Sequence, residues 1–201
     1  MSCRPTRSAR KNRLIRRRLK NQRRYTVPLA EDETDLRLFP PLHCGWALRG
    51  QPAPVPISGH NAKRVLFGAL HLRTGHRVFL ERRQQRGVDQ QAFLKEIRRH
   101  YPGGHVALLL DEDSSHTAGA SQQLADELDI ELLWLPKRSP HLNPMEHLWR
   151  HGKEVKSANH QYDSIDNQVE QFIDDLSGLS REEALRKAGI LSEDFWLKGI
   201  L

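Results

Sequence analysis

The chain is short of cysteine, of long hydrophobic runs and, over its first 27 residues, of any acid at all. Its two cysteines, Cys3 and Cys44, supply neither a disulfide framework nor a CxxC zinc motif, which suits a reducing cytosol. The longest aliphatic run, Val106 to Leu110, falls far below the roughly 20 residues that cross a bilayer, so no membrane span or membrane partner is expected. No apolar stretch of roughly 7–15 residues follows the basic start, so a secretory signal is not expected either. An organellar transit peptide has a similar acid-free, Arg- and Ser-containing composition and is the lesser alternative.

What is present is a globular composition, 37% hydrophobic, with an uneven charge. Residues 1–27 hold eleven Lys and Arg side chains; since the whole chain is +7, the rest is −4. The high isoelectric point therefore belongs to one segment. Residues 1–24 read as a basic arm, a solvated tail or loose helix with no core to join. Its Arg13, Arg16, Arg17, Arg18, Lys20, Arg23 and Arg24 are of the kind that attracts phosphate polyanions. The plainer reading is a solvated extension without a partner.

Beyond the arm, Tyr25 to Ala30 predicts a strand that stops at Glu31-Asp32-Glu33, with a short second strand over Leu36 to Phe39. Gly50 to Asn61 is a loop, and Arg64–Leu72 with Arg77–Leu80 reads as a hairpin. Phe93, Leu94, Ile97 and Tyr101 have helical spacing. Val106–Leu110 and Ile130–Leu135 are runs of the kind buried on both faces, and a helix carrying Leu124, Ala125 and Leu128 lies between them. Strand, helix, strand predicts a parallel pair and an α/β fold. Ile165, Val169, Phe172, Ile173 and Leu176 form an amphipathic stripe, and Ser180 with Glu183 signs a capping box.

Three acids stand where elements meet loops: Asp32, Asp111 and Glu146. Carboxyl ends of strands are where ligands gather in open α/β sheets, and converging carboxylates repel unless a hard cation such as Mg²⁺ lies between them. Each acid also has a plain explanation. Asp32 and Glu33 suit a polar strand exit, and Asp35 competes with Asp32. Asp111 suits a turn before Ser114 and Ser115. Asn143-Pro144-Met145-Glu146 is a helix start with Asn at the N-cap and Glu at N3. His147 and His151 are four apart but lack a third ligand at zinc spacing. Trp134 and Trp149 read as core residues, and Lys137 and Arg138 as either phosphate contacts or a solvated loop.

The stretch Leu135-Pro136, Ser139-Pro140, Leu142-Asn143-Pro144, Glu146 and Trp149 resembles the signature of the mariner-like DDE transposases of the insertion-sequence-630 family. Asp111 with His116 is similar to the family's second-acid motif, and 34 residues lie between Asp111 and Glu146. Asp32-Glu33, followed by Trp46 and Arg49-Gly50, is similar to its first. The resemblance covers roughly residues 25–176, with 177–201 as a C-terminal helical extension.

The resemblance implies a ribonuclease H-like fold, a mixed central sheet flanked by helices, and a transposase catalytic domain. Asp32, Asp111 and Glu146 would hold two Mg²⁺ or Mn²⁺ ions for DNA cleavage and strand transfer. Glu33, His116 and Asn143 would support them, and Lys137 and Arg138 would meet DNA beside the arm. DNA ends and target are the implied partners, with a homodimer for synapsis and a cytoplasmic, nucleoid-associated location. Two departures stand out. Asp111-Glu112-Asp113 replaces the family's Asp-Asn, and only the basic arm stands where relatives carry a helix-turn-helix region. The chain thus reads as a truncated copy or the downstream product of a split reading frame, and the alternative function is that of a catalytically silent, truncated remnant that binds DNA non-specifically through the arm.

Overall fold

The apolar runs become β1 (Val27–Arg37), β2 (Lys63–His71), β3 (Arg77–Arg82), β4 (Val106–Leu110) and β5 (Ile130–Trp134) in a computed structural model. It describes residues 7–21, 25–51 and 53–201. The five strands form one sheet in the order β3-β2-β1-β4-β5. β1, β2 and β3 pair antiparallel, while β1, β4 and β5 pair parallel, so the sheet is mixed as expected. The parallel pair β4 and β5 is joined through α3 (Ser114–Thr117) and α4 (Gly119–Glu127). α2 (Gly87–His100) packs with α4 over one face, where Phe93, Leu94, Ile97 and Ala125 meet Leu29, Phe67 and Leu108. α5 (Pro144–Gly152), α6 (Ile165–Gly178) and α7 (Arg181–Lys187) cover the other. Trp149, Phe172 and Ala184 there meet Ala30, Leu66 and Leu109. No described helix is long and apolar enough to cross a membrane.

β1 corrects one expectation. The two short strands predicted around the acidic cluster are a single eleven-residue strand, and Asp32 lies in its middle rather than at its exit. β2 is the reason: it pairs without a break from Leu29↔His71 to Arg37↔Lys63, carrying the backbone ladder straight through Glu31, Asp32 and Glu33. Side chains alternate along a strand, so Asp32 joins Ala30, Thr34 and Leu36 on the α5 face. Glu31 and Glu33 join Leu29 on the α2 face.

The arm also departs from its reading. Arg7–Lys20 forms a helix, α1, and its Ile15 and Leu19 are buried at 3% and 2% exposure. They do have a core to join. Residues four apart share a helix face, and both pack into the cluster that holds Trp149 and Phe172. Arg23 and Arg24 lie outside the described residues.

Candidate active site

Asp32 and Asp111 are brought together by strand register. Ala30 of β1 pairs with Leu109 of the parallel β4; Asp32 stands two residues further along β1, and Asp111 follows directly on the last residue of β4. Glu146 arrives from above on the first turn of α5. All three line one cleft of about 230 Å³, together with Asn143, Lys137, Arg138 and Glu112. Asp35 is not among its lining residues; it pairs with Lys63 at 2.7 Å.

Glu146 is released from the capping duty that its spacing allowed. Asn143 Oδ1 accepts from the Met145 N–H at 3.2 Å, while the Asn143 N–H donates to the Pro140 carbonyl at 2.8 Å instead of to Glu146. Asn143 Nδ2 donates to the backbone carbonyl of Glu31 at 2.8 Å, tying the start of α5 to the strand that carries Asp32. Trp149, one turn further, lies over Gly68, the residue opposite Asp32 on β2. A Cβ on Gly68 would sit 2.5 Å from the indole. The absent side chain is what lets α5 come down onto the sheet beside the acids.

The electrostatics of the cleft are those of an anionic site short of positive charge. Asp32 is half-buried, its Oδ2 is shielded from solvent without a hydrogen-bond partner, and its carboxyl is pushed up to about 8. Burial is the largest cause, followed by the charges of Glu146, Glu33 and Asp111. Asp111 behaves oppositely. Its Oδ1 accepts from the Asp113 N–H at 3.0 Å and stands 3.1 Å from His116 Nδ1. The histidine bond above all holds its carboxyl below the usual range. A buried orphan oxygen facing two further carboxylates is what oxygen-loving divalent cations fit.

Behind β1 lies a second group that the sequence signalled only in part. His116 is 1% exposed; its Nε2 lies 2.8 Å from Glu33 Oε1 and 3.8 Å from Glu31 Oε2. Burial alone would lower its pKa, but Glu31, Asp111 and Glu33 raise it to about 12. The imidazolium therefore donates one N–H to Glu33 of β1 and the other to Asp111 beyond β4. Ligating atoms of Glu31, Glu33 and His116 fall within 4.8 Å of one another, a spacing that suits a cation. The ring N–H already occupies that place. Glu31 was not singled out from sequence, because only the fold shows that β1 turns it inward opposite Asp32.

The rim disposes of the extra charge next to Asp111. Glu112 is ion-paired with Lys11 of α1 and lies 3.6 Å from Lys137 Nζ. Its carboxyl is lowered, chiefly by the Lys11 bond. Lys153 is a further cation near the acids. It lies two helical turns after Glu146, half-buried, with its pKa lowered by burial against the opposing pull of Glu146, Asp35 and Asp32. Seven-residue spacing from Glu146 was the available signal.

Against this geometry, comparison with known proteins is decisive at the level of family. The profile described as DDE superfamily endonuclease matches residues 29–168. The chain belongs to the DDE superfamily of endonucleases. A protein of insertion element IS630 from Shigella sonnei, itself called an uncharacterized 39 kDa protein, is 30% identical over 137 residues. The match takes in 67% of this DDE chain and 40% of the relative. The Tcb2 transposase of Caenorhabditis briggsae is 34% identical over 61 residues, 27% of this chain and 22% of that one. Among solved structures, the Mos1 transposase paired-end complex superposes with a TM-score of 0.70 at 21% identity, covering 92% of this chain and 58% of that one. The Mos1 catalytic domain, solved with Raltegravir and Mg, gives 0.63 at 19% identity, with 93% and 88% covered. The fold is thus the ribonuclease H-like one expected. The chain spans about two fifths of the Shigella relative and less than two thirds of the Mos1 chain in its paired-end complex.

Proposed function

We propose that this chain is the catalytic part of a mariner/IS630-type transposase that cleaves DNA and transfers its strand with the help of two divalent cations. The observation that supports the reading is the convergence of Asp32, Asp111 and Glu146 on one cleft, with a buried oxygen of Asp32 left without a partner. Mos1 complexes have been crystallised with transposon ends and with Mn or Mg, which makes Mg²⁺ or Mn²⁺ and DNA the natural choices here.

Asp32, Asp111 and Glu146 would hold the cations. Bound there, they would supply activation of the attacking oxygen and stabilisation of the leaving one at phosphorus. The chain's own residues do the rest. Asp111 is aimed by His116 and by the Asp113 N–H, both of which hold its Oδ1. Glu146 is fixed by the Asn143 cap, and Asn143 by Glu31. Lys137 and Arg138 on the lip would meet DNA phosphates, and a second copy of the chain would serve to pair two ends. Glu112, which departs from the family's Asp-Asn, has its charge countered by Lys11 and Lys137, which supports this reading.

The test is nicking of a supercoiled plasmid or of an end-containing duplex with Mg²⁺, Mn²⁺ or EDTA. Cleavage should need the metal and vanish in Asp111→Asn. Cleavage that survives in Asp111→Asn would overturn the assignment. A folded protein that binds DNA but never turns over would leave only the remnant reading.

A further inference from the structure

α1 is a two-faced helix, and its faces divide the basic residues into two groups with different work. At about 100° per residue, Ile15 and Leu19 mark the buried side. Lys11 and Arg18 flank them, paired with Glu112 and with Glu131 at 2.8 Å. Arg16 donates to the Trp196 carbonyl. Arg10, Arg13, Arg17 and Lys20 fall on the opposite side, all exposed, and among the described residues no ion pair or hydrogen bond engages their side chains. Arg16 and Arg18, expected from sequence as phosphate ligands, are therefore docking residues.

The outer stripe is repulsive as it stands. Its members are three or four apart along the helix, where like charges destabilise each other, and α1 contains no acid to relieve them. A merely solvated face gains nothing from that spacing. A row of phosphates would relieve it, and from Arg10 to Lys20 the row runs about 15 Å at 1.5 Å per residue. α1 is also anchored to the cleft rather than trailing from it. Lys11, beside Arg10, reaches Glu112 in the cleft wall, and Glu112 reaches Lys137 on the lip.

We infer that Arg10, Arg13, Arg17 and Lys20 form a rigid phosphate track for duplex DNA that continues the lip of the cleft at Lys137 and Arg138. This rests on DNA being the substrate, but not on the chain being an active enzyme. Docking fixes the track, so its contacts are made without ordering a tail, and sequence plays no part in them.

The experiment is fluorescence anisotropy of the full chain with a random-sequence 30-base-pair duplex in EDTA, titrated across KCl concentrations. The variant Arg10→Gln/Arg13→Gln/Arg17→Gln/Lys20→Gln should have a log–log salt slope shallower by about 3 to 4, since each phosphate contact contributes about 0.9. Its melting temperature should be unchanged or higher. Replacing the three arginines by lysine should keep the slope. Lys11→Gln/Arg18→Gln should lower the melting temperature and change the slope by less than half as much. A quadruple variant with the parental slope overturns the track, as does equal slope loss in the docking variant. So does a stripe needed for binding vesicles of anionic lipid but not duplex. Because no cleavage occurs in EDTA, a track that stands while plasmid nicking fails would separate this inference from the catalytic reading.

Discussion

Asn143 Nδ2 donates to the backbone carbonyl of Glu31 at 2.8 Å while Asn143 Oδ1 caps α5, so one buried amide joins the two elements that bring Asp32 and Glu146 together. Asn143→Ala removes a cap, about 1 kcal/mol, and strips a donor from a buried carbonyl, another ~1–3 kcal/mol. Ser164→Ala, which removes only the cap on α6, is the matched control. Urea unfolding should show Asn143→Ala clearly less stable than Ser164→Ala. Equal losses would mean that the bond to Glu31 does no work.

Gly68 faces Trp149 and Met145, and its Cβ would meet both within 2.7 Å. Gly68→Ala should therefore destabilise the fold by about 1–3 kcal/mol through overpacking. Gly119→Ala has nothing within 4 Å to meet and should be neutral or slightly stabilising. Chemical denaturation of the pair measures the difference. A stable Gly68→Ala would show that α5 has slack above the sheet.

Asp32 predicts a pH dependence with a definite sign. Its carboxyl titrates near 3.8 when unfolded and is raised to about 8 in the fold. Between those values the folded chain keeps a proton that the unfolded chain releases, so this group erodes stability as pH rises from about 4 to 8. Without divalent metal, Asp32→Asn should melt higher than the parent at pH 8 and match it below pH 4. The parent's gain in melting temperature from Mg²⁺ or Mn²⁺ should grow over the same window, and Asp32→Asn should lose that gain along with any cleavage. A variant that melts lower than the parent at pH 8 would contradict the buried-charge account.

His116 links Glu33 behind the sheet to Asp111 in front. His116→Ala leaves two buried carboxylates without their cation, at a cost of about 3–5 kcal/mol. Glu33→Gln keeps an acceptor for the ring and should cost less. In that milder variant the Mg²⁺ needed for half-maximal cleavage should still rise, because Asp111 is less firmly aimed. An unchanged metal requirement would reduce His116 to a packing role.

Much of the candidate site was legible because its signals are local. Asn, Pro and Glu at successive cap positions place Glu146 on the first turn of a helix wherever that helix goes, and Val106–Leu110 ends abruptly at Asp111. Asp32 was harder to place. An acidic triplet reads as a strand exit until β2 is seen to pair through it, and pairing partners some 36 residues apart leave no trace in local pattern. Lys153 and Glu31 were missed for the same reason, since what matters is which wall they face.

By itself, the sequence determined which residues are able to hold a cation, where helices begin, which runs are apolar enough to be buried, and that the basic charge is concentrated in one segment. These follow from side-chain chemistry and short-range spacing. Only the tertiary structure decided that Asp32, inside β1, and Asp111, just past the end of β4, line one cleft, that His116 is sealed between acids, and that the basic arm is a helix docked through Ile15 and Leu19. Those outcomes depend on strand register and on burial against distant elements. A shift of one residue in the register of β1 would turn Asp32 away from the cleft and Glu31 toward it.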